Sequence, residues 1–557
     1  MSKNLSYLSG RKGLSPNLFE ELGKAVNKTG VLQEEDMESI RQEYLVGKST
    51  LYGTATFYDF LRPENQGKKV YICNGSACLC AGTQPALKEK LLSHFPEHEI
   101  GEMCCLGRCH ENSAFHFEGR NFSGTAIELI QQIKEDKIIV KDGYHVGVKG
   151  TPILTQKSQG IAAYSEILKN CFQKPVEVLM EELKVSGLRG RGGAGFPIAF
   201  KLESCSSMAA EQRFIVCNAD EGDPGAYSDR YLLEEQPYAV LIGMIISGYL
   251  ANAQVGILYI RGEYPESITR MENSIGELID KKLVGEDIFG SGFSFYFKII
   301  KAQGAYICGE ETALLSSIEG QRPEVRVRPP YPAQQGLFNL PTVVNNVETL
   351  ANLPFIMQQG GKAFADIGTE KSKGTKLVSL DGYFRNPGIY EVDMGTPLSV
   401  VVHELGGGFK QAVKAMHIGG PLGGLVPVSK IKDLSIDFES FNNEGFLLGH
   451  ASIICIPVTF PMILYLEHLF EFTAHESCGK CFPCRLGSVR GKEMLEKART
   501  SDYKIDRVLM DDLLETLEIG SLCMLGGGLP LPVKNSLEYF EEELGVYFTN
   551  QNINRGR

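Results

Sequence analysis

Apolar positions recur at helical spacing in FEELGKAVNKTGVL and EEDMESIRQEYLVG, so residues 16–61 read as helices. They lead through LYGTATFYDFL into KKVYIC, which reads as a strand. A further helix is expected from AIELIQQIKEDK. The polar KDGYHVGVKGTPILTQKSQG that follows, with its Gly, Pro and Ser, reads as a linker. Residues 176–183 have the pattern of an amphipathic helix, and FIVC that of an apolar strand. Helix 239–251, strand VGILYI and a helix opened by RGEYPES come next. This βα alternation indicates a sheet covered by helices. Residues 376–426 carry short β-like runs between Gly and Pro turns, and LEKARTSDYKIDRVLMDDLLETLEIG looks helical.

At 557 residues the chain exceeds what one hydrophobic core supports, and three or four domains are expected. With 56 basic and 68 acidic residues the net charge is −12, which argues against a general nucleic-acid binder. Against that background the groups Arg189/Arg191/Lys201 and Arg322/Arg326/Arg328 stand out. A bound anion is one reason for them, and solvated loops with nearby carboxylates are the other. The start, MSKNLSYLSGRKG, has no apolar core of a leader peptide, and residues 239–253 and 451–466 are too short or too Pro-broken to span a bilayer. The chain is therefore read as cytoplasmic, alone or as a soluble arm of a larger complex. In that compartment 15 cysteines indicate metal or redox chemistry.

The cysteines cluster. Cys73 and Cys78 form C-x4-C, and Cys105 and Cys109 form C-x3-C; four thiolates in two loop pairs suit a [2Fe–2S] centre. Zinc competes for any four cysteines but favours C-x2-C. Cys80 and Cys104 adjoin these ligands, and either could replace one of them. Cys478, Cys481 and Cys484 in SCGKCFPCRLG form C-x2-C-x2-C, and a remote Cys523 completes a [4Fe–4S] arrangement, with Lys480 and Arg485 offsetting part of its charge. Cys171, Cys205, Cys217, Cys308 and Cys455 stand alone and read as buried small hydrophobes.

The densest glycine run is residues 186–202, SGLRGRGGAGFPIAFKL, with Gly187, Gly190, Gly192, Gly193 and Gly195 among Arg189, Arg191, Phe196 and Lys201. Free amides at this density form a concavity for a phosphate with a cation at each end, whereas a surface loop is the plain alternative. Beyond strand FIVC lies NADEGDPGAYSDR. There Asp220 and Glu221 would accept hydrogen bonds from ring N–H or hydroxyl groups. Gly304 and Gly309 flank a short expected strand, Glu310–Glu311–Thr312 would open a helix, and Asn345, Asn346 and Thr349 supply neutral donors and acceptors.

Taken together, GRGGAGFP, NADE, GAYICGEETAL, PPYPA and NNVET resemble, in order and spacing, the NADH-oxidising flavoprotein subunit of respiratory complex I and the diaphorase subunits of NAD-linked hydrogenases and formate dehydrogenases. TATFYDF and the first cysteine set resemble that family's thioredoxin-like [2Fe–2S] partner, here fused in one chain. The resemblance implies that Gly190, Arg191, Gly192, Lys201, Asn218, Asp220, Glu221, Tyr306, Gly309, Glu310, Asn345, Asn346 and Thr349 surround FMN. Phe196 and Tyr331 would flank NAD(H), which Asp223, Glu311 and Arg328 would contact. Asp223 stands where the family usually has Glu, Arg328 where it has Lys, and Ser204 where a second stacking aromatic often occurs. These departures leave NAD against NADP open.

The resemblance implies a multidomain α/β chain. Residues 1–125 would be helical and thioredoxin-like, 126–169 a linker, and 170–370 the FMN and NADH core. Residues 371–458 would be a β-grasp (ubiquitin-like, SLBB-like) insert, and 459–557 a helical [4Fe–4S] bundle. It further implies an NADH dehydrogenase without a catalytic side chain. Hydride passes between nicotinamide and flavin, and single electrons pass through the clusters to or from iron–sulfur subunits of a hydrogenase, formate dehydrogenase or complex I-like assembly. The alternatives are the NADH site of an electron-bifurcating complex, a redox-inactive scaffold, or a zinc-stabilised nucleotide-binding regulator.

Overall fold

The computed structural model describes residues 13–14, 18–29, 32–44, 46–124, 130–135 and 143–549. Most of the first 17 residues, the start and end of the helix expected from AIELIQQIKEDK, and residues 550–557 lie outside them.

The amino-terminal region follows its helical pattern with helices Leu18–Thr29, Glu34–Tyr44 and Lys48–Ala55. A small mixed sheet follows: β1 (Val70–Cys73), β2 (Ile100–Met103), β3 (Phe115–Phe117) and β4 (Arg120–Phe122), in the order β2-β1-β3-β4. Every residue of β1 is buried, as its unbroken apolar run requires.

Strand β5 (His145–Lys149) corrects the expected linker: it pairs in parallel with a strand some 240 residues later. Such a short, exposed segment carries no periodic signal of its own. The loop after it is fastened by buried Glu391, which accepts the backbone amides of Ile153, Leu154 and Thr155 at 2.8–3.0 Å.

The central layer is built from α1 (Val176–Ser186), α2 (Ile198–Ser206), β6 (Phe214–Ala219), α3 (Ser228–Glu235), α4 (Pro237–Ala251), β7 (Val255–Ile260), β8 (Tyr296–Lys301), α5 (Glu311–Ile318), β9 (Thr342–Asn346) and α6 (Val347–Ala351). Its four strands run all parallel in the order β8-β7-β6-β9. Helix α4 is apolar on every side because it is enclosed on every side. Gly243 lets α6 approach it, since a Cβ there would lie 2.0 Å from the Leu350 carbonyl oxygen. Between Gly304 and Gly309 the expected strand is instead a 3₁₀ turn, Tyr306–Gly309, running into α5. The Glu310 carboxylate caps that helix by accepting the amides of Thr312 and Ala313.

The next region supplies β10 (Thr375–Leu380), β11 (Gly388–Asp393), β12 (Val413–Ile418), β13 (Gly424–Pro427) and β14 (Ser452–Pro457). With β5 they make a six-stranded mixed sheet, β13-β12-β14-β10-β11-β5, over its own apolar core. The chain ends in packed helices that include α7 (Met462–Glu476), α8 (Phe482–Thr500) and α9 (Arg507–Gly520). Among the described residues no helix is long and apolar enough to cross a membrane.

Candidate functional site

The glycine run connects α1 to α2, and its two arginines hold it rather than face outward. Arg189 donates to the Gly195 carbonyl at 2.7 Å and to Glu439 at 2.6 Å, with its guanidinium over the Phe438 ring. Arg191 is fully buried. Its backbone amide donates to Thr349 Oγ1 at 2.8 Å and its guanidinium to the carbonyls of Arg189 and Lys373, leaving Nε unpaired. Burial lowers Arg191 to about 10, still charged at neutral pH. The expected pair of cations flanking a phosphate is thus reduced to Lys201, whose Nζ donates to the Val344 carbonyl and to Glu311.

The carboxyl ends of β6 and β9 lie side by side, with Cys217 opposite Asn345 and Asn218 opposite Asn346. Parallel sheets present ligand contacts at that end. Asn218 donates to the Gly309 carbonyl at 2.8 Å, which ties β6 to the turn before α5. Three buried polar atoms here have no hydrogen-bond partner: Asp220 Oδ2, Glu310 Oε1, which lies 3.7 Å from the Arg328 guanidinium, and Asn345 Nδ2. Buried polar groups are mostly paired, so unpaired atoms grouped at the carboxyl end of a parallel sheet offer a ligand both donors and acceptors. The edge of a flavin ring, with its N–H and carbonyl groups, fits that set. Burial pushes both Asp220 and Glu310 above the usual carboxylate range, the former strongly.

Three other expected contacts build the wall instead. Glu221 accepts the amides of Asp229 at 2.9 Å and Arg230 at 3.0 Å, and the Tyr264 hydroxyl at 3.2 Å. Asn346 caps α6 and donates to Asp229, while Thr349 receives the Arg191 amide.

On the outer side, Phe196 and Tyr331 are 45% and 55% exposed. Phe200, which the motif reading passed over, is 63% exposed with its ring 5.6 Å from Phe196. Its spacing of four from Phe196 at the entry to a helix is the signal that would have found it. Glu311 is held between Lys201 at 3.2 Å and Arg328 at 3.0 Å, and Arg328 lies 3.7 Å from Glu310. Asp223 is half-buried and accepts the Tyr306 hydroxyl at 2.7 Å. If Phe200 stacks on the nucleotide, Phe200→Ala raises the KM for NADH about 3- to 10-fold with kcat little changed, as for an aromatic contact of about 0.5–1.5 kcal/mol. Steady-state kinetics that leave KM unaltered would remove Phe200 from the site.

Both cysteine sets converge. Cys105 and Cys109 Sγ are 3.3 Å apart, Cys73 faces Cys105 and Cys78, and the Gly225 amide donates to Cys109 Sγ at 3.2 Å. Cys80 points away into the apolar contact between β12, β14 and α7, whereas Cys104 stays beside Cys73 and Cys105. In the second set Cys481 precedes α8 and Cys484 lies in its first turn. Cys484 faces Cys478 and Cys481, and Cys523, just beyond α9, faces Cys478, Cys484 and Glu310. Two convergent groups of thiols, the first buried and the second half-buried at Cys481 and Cys523, fit the two iron–sulfur clusters. The second lies beside the turn that carries Glu310: Glu310 faces Cys523, and the Tyr306 amide donates at 2.8 Å to Glu476 at the end of α7.

Residues 183–355 match the Nuo51 FMN-binding domain, 465–547 the NADH-ubiquinone oxidoreductase-F iron-sulfur binding region, and 8–136 the thioredoxin-like [2Fe-2S] ferredoxin. The NADP-reducing hydrogenase subunit HndC of Solidesulfovibrio fructosivorans is 41% identical over 388 residues, covering 69% of this chain and 78% of that protein. The NAD-reducing hydrogenase HoxS subunit alpha of Cupriavidus necator is 33% identical over 522 residues, 88% of this chain and 85% of that one. A crystal structure of an NAD⁺-reducing [NiFe]-hydrogenase in the air-oxidized state superposes with a TM-score of 0.84 at 27% identity, over 96% of this chain and 94% of its own. The chain belongs to the family of NADH-oxidising FMN and iron–sulfur flavoprotein subunits found in complex I-type NADH–quinone oxidoreductases and NAD-linked hydrogenases, with a thioredoxin-like [2Fe–2S] region at its amino end.

Proposed function

We propose that the chain is the diaphorase subunit of a multisubunit redox complex, moving electrons between NAD(H) and iron–sulfur partner subunits. The carrying observation is that Glu310, whose Oε1 has no hydrogen-bond partner, faces Cys523 of the Cys478/Cys481/Cys484/Cys523 group, with Asp220 and Asn345 also keeping atoms free of hydrogen bonds at the carboxyl end of the same sheet. FMN bound there supplies the exchange between a two-electron hydride and single electrons.

The side chains bind and orient. Asp220, Glu310 and Asn345 hydrogen-bond the flavin edge, with Asn218, Gly309 and Tyr306 fixing the turn that carries Glu310. Gly190, Gly192, Arg191 and Lys201 form the floor, which Glu221, Asn346 and Thr349 support. Phe196, Phe200 and Tyr331 flank the nucleotide, and Asp223, Glu311 and Arg328 line its sugar side. Arg328 is already engaged by Glu311 and Glu310. A 2′-phosphate would meet those two carboxylates, so NADH is the preferred donor over NADPH.

We assign the [2Fe–2S] ligands to Cys73, Cys78, Cys105 and Cys109. For the organisation, we take residues 1–125, 170–370 and 459–557 as the three cofactor-bearing domains, and 371–458 as a β-grasp insert, supported by its mixed sheet. Residues 126–169 then join the first two while lending β5 to that sheet. Thiols and cluster ligands persist in a reducing compartment, which supports a cytoplasmic location for the chain, as part of a soluble arm.

Anaerobic titration of the holoprotein with NADH, and separately NADPH, followed by visible absorption and low-temperature EPR, tests this. NADH bleaches the flavin and brings up reduced-cluster signals, and NADPH does so far less. A protein containing iron and FMN that neither nucleotide reduces would refute the proposal.

A further inference from the structure

Beneath the glycine run, three segments remote in sequence meet in one group of polar and charged side chains. Glu221 follows β6, Asp229 lies in the first turn of α3, Asn346 caps α6, and His450 sits in the loop before β14. His450 Nε2 is 3.3 Å from Asp229 Oδ2 and 3.7 Å from Glu221 Oε1. The same Asp229 oxygen accepts from Asn346 Nδ2 at 2.6 Å. Asn346 in turn is what Gly192 rests on, since a Cβ on Gly192 would lie 2.9 Å from the Asn346 Cβ. The chain of contact therefore runs from the six-stranded sheet to the cradle: His450, Asp229, Asn346, Gly192.

Glu221, Asp229 and His450 lie close enough together to surround a cation. Hydrogen bonding argues otherwise. Both Glu221 oxygens already accept backbone amides and Asp229 Oδ2 accepts from Asn346, so three of the four carboxylate oxygens face donors and only Asp229 Oδ1 has no hydrogen-bond partner. A proton on the imidazole satisfies the same oxygens without displacing any of them.

We propose that His450 is a positioning residue for the flavin: its Nε2–H, directed at Asp229 and Glu221, fixes Asp229 so that Asn346 stays packed under Gly192. This inference rests on the reading that the glycine run holds FMN. Flavin retention is then coupled to the sheet domain that contributes His450.

The charged groups around the ring are Glu221, Asp229 and Asp223, opposed by Lys376, whose own ion-pair partner is buried Glu348. Burial disfavours the charged imidazole, but Asp229 and then Glu221 outweigh it and raise His450 to about 9. Because the folded value lies above the ordinary 6.5, the ring charge that strengthens the Nε2–H bond to Asp229 persists through neutral pH and is lost as pH rises through about 9, while the neutral ring can still donate from Nε2.

The test is FMN release from the full-length holoprotein, read as recovery of free-flavin fluorescence on dilution, from about pH 6 to about pH 10, a range bracketing a raised histidine. Release from the unmodified protein accelerates as pH passes about 9. His450→Gln releases flavin about tenfold faster at neutral pH, as expected for losing one charge-assisted hydrogen bond, and its profile is flat. Asp229→Asn flattens the profile in the same way and serves if His450→Gln does not fold. A flat profile for the unmodified protein, an unchanged step in either variant, or a stoichiometric transition metal lost with His450→Gln would each overturn the inference. A protein that never holds FMN would instead fail the reading of the glycine run, and this inference with it.

Discussion

Cys481→Ser leaves flavin reduction by NADH measurable but lowers electron transfer through the [4Fe–4S] cluster by more than about 100-fold. Changes to groups that only support metal ligands already cost about 10–100-fold, so removing a ligand exceeds that range. Cys481 stands at the head of α8, half-buried, beside Cys484 and within the group that Glu310 faces. A serine hydroxyl there does not supply the thiolate such clusters require. Iron content and the EPR signal of the reduced cluster fall together, while an acceptor that draws directly on the flavin still turns over. Unaltered iron and unaltered cluster-dependent turnover would sink the ligand assignment.

Gly192→Val empties the flavin site. The new Cβ would lie 2.9 Å from the Asn346 Cβ and 3.3 Å from its Cγ. Asn346 has little room to yield, because its side-chain oxygen accepts the Glu348 amide at 2.9 Å while its nitrogen donates to Asp229 at 2.6 Å. Overpacking of this kind costs about 1–3 kcal/mol, or a factor of about 5 to 150 in FMN affinity. Gly276→Ala is the control, because a Cβ there meets nothing within 4 Å and the residue lies outside the site. Flavin content of the purified variants decides the matter, and a Gly192→Val protein with full flavin would show that the cradle lies elsewhere.

Much of the site is visible in the sequence because its chemistry is local. The C-x2-C-x2-C run puts three thiols on one turn of chain, and the glycines from 187 to 195 announce close backbone approach wherever they are placed. Strands FIVC and VGILYI carry their burial in their own composition, and both pair in the core sheet. What the one-dimensional pattern missed depends on partners far along the chain. Residues 145–149 look like linker until β11 is seen beside them. Arg189 and Arg191 look like phosphate ligands until their carbonyl and carboxylate partners appear. Phe200 carries no motif signal, and its ring beside Phe196 in the folded chain brings it to the site.

The sequence by itself determined the kinds of element, the two cysteine sets and the glycine run, because helix and strand periodicity, ligand spacing and backbone freedom are properties of neighbouring residues. Only the tertiary structure decided which polar atoms are left for a ligand. Asp220 and Glu221 are adjacent in the chain, yet one keeps an unpaired buried oxygen while the other is saturated by the start of α3. Cys80 and Cys78 share one short helix, yet one joins the thiol group and the other faces an apolar contact. Whether a buried group is satisfied depends on donors and acceptors brought from distant segments, and that sum exists only once the chain has folded.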